Sequence, residues 1–196
     1  MLHRPPKIAV IVTLCALAAC SDPPAEPAPV AQRSAEPAVQ PLEWTVPGAW
    51  SLSESSTTGP RRAGYKVPKL GDDKEDGELL VLFFGTGANG DRDKQWDEWF
   101  AQFDGDAKAE AKRETFEVGG MTVETFEHAG TYKLNMGPQR PGMKKSPVQM
   151  VKKDFRMLAA VVKTKGKGNW FFRLVGPNET VLASKSAFRT MLESVK

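Results

Sequence analysis

The chain has 196 residues, with 27 lysines and arginines against 24 aspartates and glutamates, and a formal net charge of +3. Its two cysteines, Cys15 and Cys20, both lie near the N-terminus. That placement excludes a disulfide framework in the rest of the chain, so the fold must be held by its apolar core. No internal repeat and no second linker divides residues 42–196, a length that suits a single domain with a sizeable core.

The first segment, "MLHRPPK", carries Arg4 and Lys7. The apolar run "IAVIVTLCALAAC" follows and ends in small residues. A short positive region followed by an apolar one of this length is an export signal, too short for a comfortable transmembrane span. Its last four residues, Leu17-Ala18-Ala19-Cys20, resemble the lipobox of bacterial lipoproteins. The resemblance implies that residues 1–19 are a signal peptide cleaved between Ala19 and Cys20. It also implies a lipid on the Cys20 thiol and acylation of the new N-terminus. Cysteine supplies the nucleophilic thiolate that a thioether needs, and several acyl chains hold a protein stably where one does not. An ordinary signal peptide that happens to contain a cysteine is the alternative. Ser21 after the cysteine favours the outer over the inner membrane by the enteric sorting pattern, in a protein of the cell envelope.

Residues 20–41, "CSDPPAEPAPVAQRSAEPAVQP", are dominated by Pro and Ala, with nothing large and apolar to bury. Such a segment reads as a disordered, semi-stiff spacer behind the lipidated cysteine.

The domain, 42–196, opens with "RRAGYKVP", a short strand stopped by Pro68. "GDDKEDG" reads as a polar, solvated loop; it lacks the ligand spacing of a calcium-binding EF-hand. "ELLVLFFG" is a continuous apolar run and predicts a central strand covered on both faces. In "DRDKQWDEWFAQF", Trp96, Trp99, Phe100 and Phe103 fall on one helical face, with Asp91 and Asp93 near the favoured N-terminus. "KRETFEVGGMTVETFEHAG" predicts two strands joined at Gly119-Gly120. "YKLNMGPQRPGMKKSPVQM" reads as a long exposed loop. "DFRMLAAVVKT" and "NWFFRLVG" predict two strong strands joined by "KGKG". The last helix should begin at an Asn178 N-cap and carry an apolar stripe of Val181, Phe188, Met191, Leu192 and Val195. The sum is an α+β fold: an antiparallel sheet of about six strands packed by two main helices.

The end of the chain, "NWFFRLVGPNETVLASKSAFRTMLESVK", resembles PsbP/Mog1-like domains, in which an aromatic-bearing last strand leads through a turn into a C-terminal helix. "GAW" followed by "RRAGYKVP" is similar to the opening of uncharacterised bacterial lipoproteins of that sort. The resemblance implies an α/β/α sandwich around an antiparallel sheet. It carries no catalytic residues onto this chain.

"GTGANG" places Gly85, Gly87 and Gly90 at the dinucleotide-binding spacing. That function needs a second parallel strand ending in an acid, and hairpins follow here instead. The glycines read as a tight strand-to-helix turn, and no cofactor is expected. His128 is the one histidine beyond the signal. With no cysteine partner in the domain it offers no zinc site, no metal is expected, and a solvated or hydrogen-bonded histidine at a strand end is the expectation.

Charge is segregated along the chain. Residues 71–127 hold sixteen acids and six bases, and residues 133–167 hold ten bases and one acid, Asp154. Lys144, Lys145, Lys152 and Lys153 stand on or beside the long loop, and Lys163, Lys165 and Lys167 cluster at a hairpin tip. If the two groups share a face, they form a patch for anionic lipid headgroups or a polyanionic envelope polymer; ordinary solvated loops are the alternative. Nucleic acid is not an expected partner in an exported compartment. The reading is a membrane-anchored, non-enzymatic binding or scaffold domain with an envelope protein or polymer as partner. The alternative is a small-ligand binder or enzyme using a cleft near the Gly85–Gly90 loop.

Overall fold

The computed structural model describes residues 41–56, 58–86, 90–135 and 149–196. All belong to the compact unit Val39–Lys196. The strands are β1 (Ser51–Ser55), β2 (Arg61–Val67), β3 (Gly77–Phe83), β4 (Lys112–Val118), β5 (Met121–Asn135), β6 (Gln149–Thr164) and β7 (Gly168–Pro177). The helices are α1 (Arg92–Phe100), α2 (Ala107–Glu110), α3 (Asn178–Ala183) and α4 (Lys185–Glu193). Among the described residues the strands form one sheet in the order β1-β2-β3-β7-β6-β5-β4, with every neighbour antiparallel.

The apolar runs seen in the sequence occupy the middle of this sheet. Along β6, Leu158, Ala160 and Val162 face one core, while Met157, Ala159 and Val161 face the other. β7 does the same, with Trp170, Phe172 and Leu174 on one side and Phe171 and Val175 on the other. Period-two alternation puts neighbours on opposite faces, so a strand covered on both sides must be apolar throughout. The first core is closed by Val181 of α3, by Phe188, Met191 and Leu192 of α4, and by Leu42 and Trp50. The second is closed by Trp96, Trp99 and Phe100 of α1 with Phe103 behind them. Phe126 of β5 receives that helix, its ring 5.3 Å from Trp96 and 4.4 Å from Phe100. Asp91 caps α1 by accepting the Lys94 N–H at 2.8 Å. The result is the expected α+β arrangement, with helices on both faces of an antiparallel sheet.

Several elements differ from the sequence expectation. The sheet has seven strands among the described residues rather than about six. The extra one, β1, is "SLSES", exposed at every position. It joins the edge through backbone pairing to β2, which leaves no hydrophobic pattern to read. One short helix, α2, is added, and the expected C-terminal helix is divided into α3 and α4. β5 and β6 are longer than expected: they take in Tyr132–Asn135 and Gln149–Met150, which read as loop in the sequence, and Val151–Lys153 beside it. A bulge accommodates them: two residues of β6, Lys153 and Asp154, oppose Thr131, and Asp154 takes φ 56°.

Asn178 is not the N-cap. Pro177 holds that position, and Asn178 is the first residue of α3. The cap comes from the β2–β3 loop, where the Asp73 carboxylate accepts the Thr180 N–H at 2.9 Å and the Thr180 hydroxyl. Asn178 is thereby released to accept a hydrogen bond from Arg156 Nε at 2.9 Å. The stripe from Val181 to Val195 is buried as expected, but Ser184 breaks it into two helices.

The hairpin at Gly119-Gly120 has φ 57° and 74°, the doubly positive turn that suits strand twist. Gly168 is held more tightly. Its φ is 88°, and a Cβ there would lie 2.6 Å from Gly85 O. Gly168→Ala is therefore expected to cost roughly 1–3 kcal/mol through strain and contact, measured by urea unfolding. Gly166→Ala, whose Cβ meets nothing within 4 Å, should cost less.

Candidate functional site

The buried ionisable groups are engaged in holding layers together. Glu127 of β5 has a side chain only 9% exposed and pairs with Arg156 of β6 and, at 2.6 Å, with Lys185 of α4. Burial pushes its carboxyl upward, but the hydrogen bond and charge of Lys185, with Arg156 and Lys112, outweigh burial and leave it below the ordinary glutamate value. Glu124, on the opposite face, joins Arg92 of α1 to Lys163 of β6. It too is pushed up by burial and brought below its usual value by those two cations.

His128 is a correction to the sequence reading. It is 6% exposed in the interior of β5, its ring edge-on to Phe103 at 4.8 Å. Burial lowers its pKa, Glu110 opposes that, and Arg156 adds to it. A histidine with a depressed folded pKa contributes stability above its unfolded value, near 6.5, and loses it as pH falls. Among the described residues no group of three or more His, Cys, Asp or Glu is placed to hold a metal ion.

The strand registers divide the remaining surface into two ends. Phe83 pairs with Trp170 and Thr164 with Gly168, so the Gly85 turn and the Lys165–Lys167 hairpin lie at one end. Asn169 Nδ2 donates to Gly90 O at 2.8 Å and ties these two loops together. The glycines thus serve a turn packed against a hairpin. The strand after α1 and α2 is β4 at the far edge, whereas β3 has β2 and β7 as neighbours, both antiparallel. A dinucleotide crevice between parallel strands has no place here. Gly87 lies outside the described residues.

Beside Gly85 the structure has a cleft of about 510 Å3, in the region named by the alternative reading. Its walls include Pro60, Arg62, Phe84, Lys94, Gln95 and Glu98. Gln95 is buried, and its Nε2 donates to Glu98 at 3.4 Å. The chemistry on offer is two cations, one carboxylate and an apolar wall, which suits a small anionic ligand with a flat or apolar part.

The other end carries the outer halves of β5 and β6. Residues 149–154 of β6 pair with β5 alone among the described strands, because β7 begins to pair only at Phe155. The two strands form an arm with a stiff base. Tyr132 stacks on Phe155 at 5.9 Å, and its hydroxyl donates to Gln102 Oε1 at 2.9 Å. Gln102 O also accepts the Lys133 N–H at 2.7 Å. Burial raises the Tyr132 pKa, opposed by Arg173 and helped by Glu78, which keeps the hydroxyl a donor.

The candidate lysines are split between these ends. Lys152, paired with Glu75 at 2.5 Å, and Lys153 are on the arm, whereas Lys163, Lys165 and Lys167 are at the Gly85 end. Lys152 and Lys163 sit eleven positions apart on β6, or about 35 Å at strand spacing. The described lysines therefore make two groups and not one continuous patch. Lys144, Lys145, Ala19 and Cys20 lie outside the described residues. What the sequence did not reveal was the arm itself and the interlayer role of Glu124 and Glu127, whose partners are 32 and 29 residues away in the chain.

No family model matches the chain, and no curated protein matches it. Several solved structures resemble it, three of which follow. The cyanobacterial PsbP (CyanoP) of Synechocystis sp. is 16% identical at a TM-score of 0.44, over 79% of this chain and 85% of that one. LpqN of Mycobacterium tuberculosis, involved in cell envelope biogenesis, is 14% identical at 0.44, over 79% and 82%. PA94 of Pseudomonas aeruginosa, a protein of unknown function, is 11% identical at 0.43, over 75% and 96%.

The Glu127 geometry makes a pH prediction. A carboxyl held below its ordinary value contributes stability that is whole above the unfolded-state pKa and is lost as pH falls through the folded one. Glu127→Gln is expected to cost about 1–3 kcal/mol at neutral pH. Its deficit relative to the wild type should shrink as urea unfolding is repeated below about pH 4.3.

Proposed function

We propose that the chain is a bacterial envelope lipoprotein, anchored through an acylated Cys20, whose domain acts as a non-enzymatic binding or scaffold module. The observation that carries this reading is Leu17-Ala18-Ala19-Cys20 at the end of a basic-then-apolar leader. Among the described residues no helix is long and apolar enough to cross a membrane. Ser21 directs the anchored protein toward the outer membrane. The structure supports a binding role over catalysis because Glu124, Glu127 and His128 are each engaged in packing or interlayer ion pairs. Partners are then met at the surface, where an envelope protein, anionic lipid or a polyanionic polymer fits Lys152 and Lys153 at one end, or Lys163, Lys165 and Lys167 at the other, with Lys144 and Lys145, outside the described residues, as further candidates. Metabolic labelling with a fatty acid is expected to mark the wild type and to leave Cys20→Ala unmarked. Equal labelling of the two ends the reading.

The cleft beside Gly85 favours a second reading, a binder of small anionic ligands. Lys94 makes no ion pair among the described residues and lines the cleft together with Phe84. The anionic aromatic dye anilinonaphthalene sulfonate is expected to fluoresce with the native chain and to lose most of that signal with Lys94→Glu. An unchanged signal removes this second reading.

A further inference from the structure

We propose that β4 is a self-association edge: it pairs antiparallel with β4 of a second copy of this chain, about a two-fold axis that passes beside Thr115. β4 closes one side of the sheet and has β5 as its one neighbour among the described strands. Its seven residues pair with β5 without a register shift, whereas β1, at the other edge, is interrupted by a bulge between Leu52 and Glu54. β4 contains no proline and no glycine. Bulges and prolines blunt the edges of natural sheets, so β1 is guarded in a way that β4 is not.

The hairpin sets which backbone groups face outward. Across a two-residue turn the flanking residues, here Val118 and Met121, exchange both of their hydrogen bonds. Counting back by twos, Phe116, Glu114 and Lys112 also turn their N–H and C=O toward β5. The Thr125 hydroxyl, 3.4 Å from Glu114 O, agrees with that phase. Arg113, Thr115 and Glu117 therefore direct their backbone groups away from the sheet, and the side chains of all three are exposed.

Charge decides what this edge meets. With Thr115 opposite Thr115 of a second copy, Arg113 opposes the partner's Glu117, and Glu117 opposes the partner's Arg113. Neither residue makes an ion pair among the described residues: Glu117 accepts the Thr122 hydroxyl at 2.7 Å, and Arg113 Nη2 donates to Lys108 O at 2.8 Å. Arg113 is also held 5.8 Å from the Trp96 ring and 5.5 Å from that of Phe100, so pairing orders little that is free. The other face agrees. There Glu114 opposes the partner's Phe116, and in each chain Arg189 lies 3.4 Å over its own Phe116 ring, so the incoming carboxylate again meets a cation. A two-fold axis at Arg113 or at Glu117 sets like charges opposite each other, and parallel pairing in register does so all along the strand, both of which are destabilising. The register about Thr115 supplies roughly six backbone hydrogen bonds and an ion pair toward each end. Its two-fold closes the assembly, so a dimer forms and not an open array.

The test uses the chain from residue 20 with Cys20→Ser, which has no leader, lipid or thiol to join copies by other means. Both cores are built from Leu42 onward, so this chain folds without them. Sedimentation equilibrium is expected to show a reversible dimer with a Kd on the order of 10–100 µM, as suits an interface of strand-edge size, weakening with salt. Arg113→Glu and Glu117→Arg should each weaken it at least about tenfold. An equimolar mixture of these two variants should dimerise again, because the reversed charges then face their opposites, and the chain that carries both substitutions should dimerise like the wild type. Leu52→Lys, on the β1 edge, should change nothing. The amides of Arg113, Thr115 and Glu117 should gain hydrogen-exchange protection as the wild-type concentration rises. Glu117→Arg removes one described contact, to Thr122, so it keeps the test decisive where Arg113→Glu impairs folding. The proposal is overturned by a wild type that stays monomeric at about 1 mM, by a folded single variant that dimerises like the wild type, by a mixture of folded variants that stays monomeric, or by a dimer that Leu52→Lys abolishes.

Discussion

Strands β6 and β7 sit at the centre of the sheet, and each must bury both of its faces. From Met157 to Val162 and from Trp170 to Val175, consecutive side chains alternate between two cores, with Arg173 the polar exception in β7. Arg173 is accommodated under α1, its guanidinium 5.8 Å from the Trp99 ring and donating to Gln102 at 3.4 Å. Its Nε still finds no acceptor, nor does Trp96 Nε1. The central strands are thus close to the limit of polarity that such a position tolerates. Everything that binds or reacts is pushed outward, to the ends of the strands and the edges of the sheet.

The layers above and below that sheet are fastened by ion pairs near the rims of the cores. Glu124 connects α1 to β6, and Glu127 connects β6 to α4, one on each face. Each acid is largely buried and has two cations, at least one of them partly in water. Full burial of such a triad would cost more in desolvation than it returns, whereas partial exposure of the cations keeps that cost down. The Asp73 cap on α3 does comparable work, since it binds the β2–β3 loop to a helix that starts after Pro177. These contacts account for charged residues that would otherwise invite a catalytic reading.

The sequence showed clearly whatever depends on local pattern. Trp96, Trp99 and Phe100 share a helical face because the period of α1 puts them there, whereas Phe103, expected on the same face, lies past the helix end and bridges to Tyr132; Gly119-Gly120 makes a hairpin because two positive φ values are needed. Illegible features were those set by distant partners or by backbone alone. β1 has one apolar residue in five, and only its pairing with β2 makes it a strand. Asn178 has the composition of an N-cap, yet a carboxylate more than a hundred residues away takes the role. The outer parts of β5 and β6 carry turn-like composition on one side and lysines on the other. Their strand character comes from the pairing of Thr131 and Lys133 with the segment after α1, and from Tyr132 on Phe155. The cleft beside Gly85 was foreseeable as a location, because a glycine turn at a strand end leaves space, but its lining by Arg62 of β2 and by Pro60 just before it comes from the strand paired to β3.

The arm poses a constraint of its own. An extension whose β6 edge pairs with no further described strand, and which exposes Leu134, Met150 and Val151, is the kind of surface on which chains pair with one another. Lys152 and Lys153 sit beside those residues on the open edge of β6, and Lys133 opposes Val151. Lysines at such positions keep edges soluble by repelling a second copy of the same basic edge. That protection is selective. It disfavours another arm of like charge, and it leaves attraction intact for a surface of opposite charge. Lys133 and Lys152 are also tied to Asp104 and Glu75, so the lysines that guard the edge help to fasten it to the loops beside it, as Tyr132 on Phe155 does at its base.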